Sequence, residues 1–125
     1  TNTDWKVYLS RQSIGDFQIA RAGWIGDYID PKSFLDMMVT GRGNNQTGWS
    51  NKEYDNLLVK ASNSTSQQER FNYFYEAEKI LIDEMPIIPI YTYTRIYMLH
   101  EDVQGWGNNI LDSRPYQFVY LENQN

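Results

Sequence analysis

Arg21, Asp27 and Asp30 place one cation and two carboxylates within ten residues. Gly23 and Gly26 break the backbone between them, Trp24 and Tyr28 add large aromatic surfaces, and Pro31 follows at once. Two carboxylates this close could divide acid and base roles if their surroundings separate their pKa values. Local structure gives Asp30 a simpler task. A carboxylate directly before Pro31 caps a helix whose first position suits proline. Asp27 has no such local task, and a charged group in a loop beside a crevice is expected to face a ligand. Arg21 interrupts an apolar run and needs a partner if buried; local sequence leaves a protein carboxylate and a ligand carboxylate equally open. His100, the sole histidine, stands beside Glu101 and Asp102 without metal-ligand spacing or a nucleophile motif. Zero cysteines exclude thiol catalysis, thiolate metal sites and disulfides, and no cofactor is expected.

The elements that must position these groups follow from periodicity. Phe17 to Ala22 alternates as a strand does and ends at Gly23, while Phe34, Leu35, Met37 and Met38 give the helix after Pro31 a packing face. The charged loop thus lies where a strand hands over to a helix, beside a sheet's carboxyl edge. Upstream, Trp5, Tyr8 and Leu9 share one side of a short helix over residues 4–10, capped by Thr3 or Asp4. Residues 40–49 hold three glycines and no period, so they read as a loop. Ser50 to Glu53 and Ser66 to Glu69 match the reciprocal capping box. They predict a helix over 51–62 burying Tyr54, Leu57 and Leu58, and one over 67–84 with Phe71, Phe74, Ala77, Leu81 and Met85 in a stripe. Pro86 stops the second. Ile87 to Thr94 then reads as a buried strand, with Pro89 at its start or on an edge. Arg95 to His100 and Tyr116 to Leu121 read as further strands around a Gly/Asn/Asp-rich loop. The Asn-x-Ser/Thr patterns at Asn45 and Asn63 are read as chance matches.

With 125 residues, 41% hydrophobic and 22% charged, the chain can bury one small core. A formal net charge of −5 argues against nucleic acid or an anionic membrane as partner. No apolar run reaches the roughly 18 residues of a membrane span, and no signal peptide is recognisable. An opening of Thr-Asn-Thr-Asp reads as a processed product or an excised piece.

Two stretches carry a resemblance. Arg21-Ala22-Gly23-Trp24-Ile25-Gly26-Asp27-Tyr28-Ile29-Asp30-Pro31-Lys32-Ser33-Phe34-Leu35, and Ala77 to Leu81 through Pro86 to Tyr93, resemble the C-terminal part of the oligopeptide-binding proteins. These are the extracytoplasmic (family 5) solute receptors of peptide ABC importers. The likeness runs from Trp5 to about Tyr93 and weakens after Arg95. It implies an α/β fold: part of the C-terminal lobe of a type II periplasmic-binding-protein-like architecture, a mixed sheet flanked by helices. Residues 1–94 would belong to that lobe, and residues 95–125 would be a hinge and returning tail packed on the other lobe. Location would be the periplasm or the outer face of the cytoplasmic membrane. The implied partners are short peptides, the cognate ABC permease and the N-terminal lobe of the same receptor. By position, Asp27 matches the carboxylate that pairs with a peptide's N-terminal ammonium. Gly23 and Ile25 match main-chain positions that bond the peptide backbone, and Arg21 matches a cation reaching toward the peptide's carboxylate. Trp5, Leu9 and Trp24 resemble site-lining residues, and Tyr93 matches a tyrosine at the cleft.

Three other functions compete. A receptor of the same fold could take an oligosaccharide, which suits the aromatic content but leaves Asp27 without a purpose. A hydrolase using Asp27 and Asp30 lacks a nucleophile, an oxyanion donor motif and a metal ligand set. An interaction protein with a disused cleft is the third.

Overall fold

A computed structural model of the chain describes residues 2–107, 109, 111 and 113–122. Its helices are α1 (Trp5–Ser13), α2 (Lys32–Leu35), α3 (Lys52–Asn63) and α4 (Gln67–Glu84), with one-turn 3-10 helices at Asp36–Met38 and Tyr116–Phe118. Strands β1 (Val103–Gln104) and β2 (Tyr120–Leu121) pair antiparallel, Val103 opposite Leu121 and Gln104 opposite Tyr120. The described residues are a helix-plus-sheet fragment.

The core is helical. Leu35 and Met38 from the α2 region, Tyr54, Leu58 and Ala61 from α3, and Phe74, Ala77 and Leu81 from α4 form one buried cluster. Ala61 and Ala77 are both fully buried, and their small side chains let α3 and α4 approach closely. Tyr54 is the largest fully buried side chain, and its hydroxyl donates to the Leu35 carbonyl at 2.6 Å. That bond satisfies a polar group which would otherwise be costly in an apolar interior. Burial pushes the Tyr54 phenol well above its usual pKa.

Capping departs from expectation in instructive ways. Asp4 caps α1 as expected, accepting from the Lys6 N–H at 2.9 Å. On α3 the cap is Asn51, which accepts from the Tyr54 N–H at 3.0 Å, and not Ser50, whose hydroxyl bonds that of Thr40 at 3.1 Å. Asparagine caps as well as serine, so neighbouring contacts decide between adjacent candidates. Ser66 does cap α4 through the Glu69 N–H. The return half of the box is missing, because the Glu69 carboxylate takes the Ser64 and Tyr73 hydroxyls instead. At its far end α4 closes on Met85 in the left-handed conformation, φ 51°. Phe71 and Met85, expected in the stripe, stay about half exposed at 43% and 50%.

The strands expected at 17–22, 87–94 and 95–100 carry no ladder among the described residues. Strand hydrogen bonds need a neighbouring strand, and none lies beside these segments. Their apolar side chains are correspondingly exposed: Ile19 at 86%, Ile90 at 84%, Ile96 at 93% and Met98 at 98%. Within Tyr116 to Leu121, only Tyr120 and Leu121 pair, Tyr116–Phe118 forming a 3-10 turn and Val119 linking the two. Residues 108, 110 and 112 of the expected Gly/Asn/Asp-rich loop, and the last three of the tail, lie outside the described residues. Around β1 and β2 a separate cluster forms, with Trp106 against Tyr97 and Tyr116 at ring separations of 5.6 and 6.2 Å. The Arg114 guanidinium lies 4.9 Å from the Trp106 ring centre.

Candidate functional site

The loop carrying Asp27 is fastened at two points. Ser33, buried at the start of α2, accepts the Asp27 N–H on its hydroxyl at 2.7 Å. Its carbonyl accepts the Trp24 indole N–H at 3.0 Å. Farther along, the Asp30 carboxylate takes the Lys32 N–H at 2.9 Å, which is the capping role its place before Pro31 implies. It also receives Arg70 of α4 through two bonds of 2.7 and 2.9 Å. Arg70 in turn lies 4.6 Å from the centre of the Phe74 ring, within cation–π range. The Arg70 hydrogen bonds hold Asp30 below the usual carboxylate pKa against the opposing effect of burial. Bidentate geometry of this kind fixes orientation as well as charge. Gly26 packs closely on α2: a Cβ there would stand 3.1 Å from the Phe34 ring, which would have to shift by a few tenths of an ångström.

Held this way, the Asp27 backbone is fixed while its carboxylate is exposed. Among the described residues that carboxylate accepts no hydrogen bond and has no ion-pair partner. The two aspartates of the loop are therefore unlike: Asp30 is paired and structural, Asp27 is a positioned acceptor. Burial first, then the charges of Asp36, Asp30 and Asp27, raise the Tyr28 phenol above its usual pKa.

Arg21 is exposed, so it carries no buried charge that demands a partner. It is paired with no carboxylate among the described residues; its guanidinium donates to the Tyr93 hydroxyl. Its carbonyl accepts the Tyr8 hydroxyl of α1 at 2.5 Å. Trp5 stacks on Tyr8, rings 5.1 Å apart and 20° from parallel. Tyr91 meets Tyr93 edge-on at 4.8 Å. Gly23 lies against the same tyrosine, a Cβ there falling 3.7 Å from the Tyr93 ring. Hydrogen bonding by the Tyr91 hydroxyl, then the neighbouring Tyr93, holds the Arg21 guanidinium above its ordinary pKa.

The structure thus gathers Trp5, Arg21, Gly23 and Tyr93 into one aromatic cluster, with Trp24 and Asp27 on the Ser33 side of the same loop. Leu9 and Ile25 are exposed at 44% and 58%. Sequence reasoning missed Tyr8, Ser33, Arg70 and Tyr91. Ser33 and Arg70 sit on helices as unremarkable polar residues, and their partners are fixed only by tertiary packing. Tyr91 carried a signal, standing two residues from Tyr93 on the same face of an expected strand. Among the described residues no group of His, Cys, Asp and Glu is arranged to hold a metal ion. No described helix is long and apolar enough to cross a membrane.

Comparison with known proteins meets this geometry from outside. No protein-family model matches the chain. The dipeptide-binding protein DppE of Bacillus subtilis is 42% identical over 104 residues, 83% of this chain and 19% of the relative. The Escherichia coli murein tripeptide binding protein MppA superposes with a TM-score of 0.87 at 32% identity, over 99% of this chain and 25% of its own. Haemophilus influenzae OppA in complex with RPPGFSPFR gives 0.86 at 27% identity, over 98% of this chain and 24% of its own. The chain is a homologue of the oligopeptide- and dipeptide-binding proteins and shares the fold of the family 5 solute-binding proteins. It spans about a fifth of the length of the curated relatives it matches.

Proposed function

We propose that this chain is part of the C-terminal lobe of a peptide receptor, capturing short peptides in a cleft closed by a second lobe and delivering them to an ABC permease outside the cytoplasm. Residues 1–94 belong to the lobe, and residues 95–125 form a hinge and tail packed on its counterpart. The role is binding and not catalysis. Asp27 receives the peptide's N-terminal ammonium, Gly23 and Ile25 bond the peptide backbone, and Arg21 meets its carboxylate. Trp5, Leu9, Trp24 and Tyr93 line the site.

One observation carries this reading: Asp27 has its backbone locked by Ser33 and its carboxylate exposed without a protein partner among the described residues. A carboxylate on an anchored backbone, with no protein partner, is open to a cation. The kinship with peptide binders makes a terminal ammonium the fitting cation. Bonding through main chain, as in addition of a strand to a sheet edge, would leave side-chain identity loosely specified. Titration of the complete receptor with a matched free and N-acetylated tripeptide tests the assignment. Asp27→Asn should weaken the free-amine peptide by roughly a hundredfold or more, because closure buries the ammonium beside a neutral group. The acetylated peptide should be nearly unaffected. Equal affinity of the unaltered receptor for both peptides refutes the ammonium pocket.

A further inference from the structure

We propose that Tyr91 is a positioning residue which, together with Tyr93, aims the Arg21 guanidinium at the free C-terminal carboxylate of a short peptide. The inference rests on the reading of Arg21 given above, and goes beyond it by naming what makes that cation effective.

Two arginines near the loop set up the contrast. Arg70 is neutralised by the two-bond pairing with Asp30 and serves to fasten the loop. Among the described residues, Arg21 is oriented by neutral groups. Its guanidinium donates to the Tyr93 hydroxyl, and its backbone carbonyl takes the Tyr8 hydroxyl at 2.5 Å. The Tyr93 ring is braced by Tyr91, ring centres 4.8 Å apart at 64°. A phenol oxygen can hold a guanidinium N–H without cancelling its charge. A guanidinium has five N–H donors, so engaging one leaves the paired donors that a carboxylate accepts. An exposed arginine without such a brace spreads over many rotamers and loses that freedom on binding. Holding it in advance lowers the ordering cost of capture.

The tyrosine pair also supplies a signature. The groups facing one another here are Arg21, Tyr8, Tyr91 and Tyr93. Tyr93's hydroxyl and the adjacent Arg21 draw the Tyr91 phenol below its usual pKa, whereas its bond with Tyr91 raises the Tyr93 phenol. On alkaline titration the Tyr91–Tyr93 pair loses a proton as one coupled unit. Its phenolate then lies beside Arg21 and competes with the ligand's carboxylate for the same charge.

The test is calorimetric titration of the complete receptor with one tripeptide as free acid and as C-terminal amide, at neutral and alkaline pH. Both forms carry the same α-amino group, so the ratio of their affinities isolates the Arg21 end from Asp27. The unaltered receptor should prefer the free acid by about tenfold or more at neutral pH, and the preference should fall as pH rises. Arg21→Gln should abolish the preference. Tyr91→Phe should reduce it by about threefold or more at neutral pH, and Tyr93→Phe should also reduce it. If Tyr91→Phe retains the full preference at neutral pH, the positioning role is wrong and the Arg21 reading stands. A shift in Tyr93→Phe alone likewise excludes Tyr91. If the unaltered receptor does not distinguish acid from amide, the Arg21 reading fails and this inference fails with it.

Discussion

The helical half of the chain, from Lys32 to Glu84, and the segments that flank it at 17–25 and 87–100 obey opposite rules. In the helical half, backbone groups bond within their own helices, and apolar side chains meet one another. In the flanking segments no ladder forms among the described residues, and Ile90, Ile96 and Met98 are at least 84% exposed. A helix is self-sufficient in hydrogen bonding and a strand is not, so one stretch of polypeptide can complete the first and leave the second waiting. The candidate site straddles this divide. Its Asp27 side is anchored to Ser33 and, through Asp30, to Arg70 of α4. Among the described residues, its Arg21 side is tied to Tyr8 of the exposed α1 and to Tyr93 of the unladdered segment. The acidic end of the site is thus built in, and the basic end depends on how the flanking segments are covered.

Core substitutions should break the comparison most strongly. Leu58→Ala and Leu81→Ala remove buried methyls and should each destabilise by about 2–5 kcal/mol, whereas Ile96→Ala in the same 125-residue chain should lie within about 0.5 kcal/mol. Denaturant midpoints of the three variants check this; a core-sized loss at Ile96 would mean that the flanking segment already packs in this chain.

A smaller effect is expected at the loop fastening. Asp30→Asn keeps a helix cap but loses the charge that receives Arg70, and should cost about 1–3 kcal/mol. Sequence alone gives Asp30 only the cap, a task asparagine performs as well. The pH dependence has a definite sign. Because Asp30's folded pKa is depressed, its stabilisation is fully present above the unfolded value of about 3.9 and disappears as pH falls through the lower folded value. Thermal melts of parent and variant from neutral to acid pH should converge at the acid end. A gap that stays constant with pH would remove the ion pair from the account.

The mildest test sharpens the capping assignment. Asn51→Ala should destabilise by about 1 kcal/mol and Ser50→Ala by clearly less, since only Asn51 receives an amide of the first turn of α3. Chemical denaturation of the pair decides it.

What sequence disclosed follows the same divide. Helices α3 and α4, their core residues Tyr54, Leu58, Phe74, Ala77 and Leu81, and the stop before Pro86 were legible because helical periodicity is a local property. Which serine or asparagine capped α3 was not, because Ser50 found a tertiary partner in Thr40. The strands expected over Phe17 to Ala22 and Ile87 to Thr94 form no ladder among the described residues, since β-propensity belongs to the segment and pairing to whatever lies beside it. Within the site, Asp27 stood out because it lacked a local task. Ser33 and Arg70, which fasten its loop, were invisible because they act across up to 40 residues of sequence.

Met85 limits what engineering of the corner after α4 can gain. It lies where the self-sufficient half ends, in a left-handed conformation that a side chain with a Cβ adopts at a cost of roughly 1–2 kcal/mol. Glycine is the residue that usually closes a helix there. Met85→Gly would relieve that cost at the expense of a looser unfolded chain, for a net gain of about 1 kcal/mol at most. It would also loosen the joint that sets the direction in which Tyr91 and Tyr93 leave α4. A stabilising substitution at this corner would therefore trade thermal resistance against the aim of the tyrosines that brace Arg21.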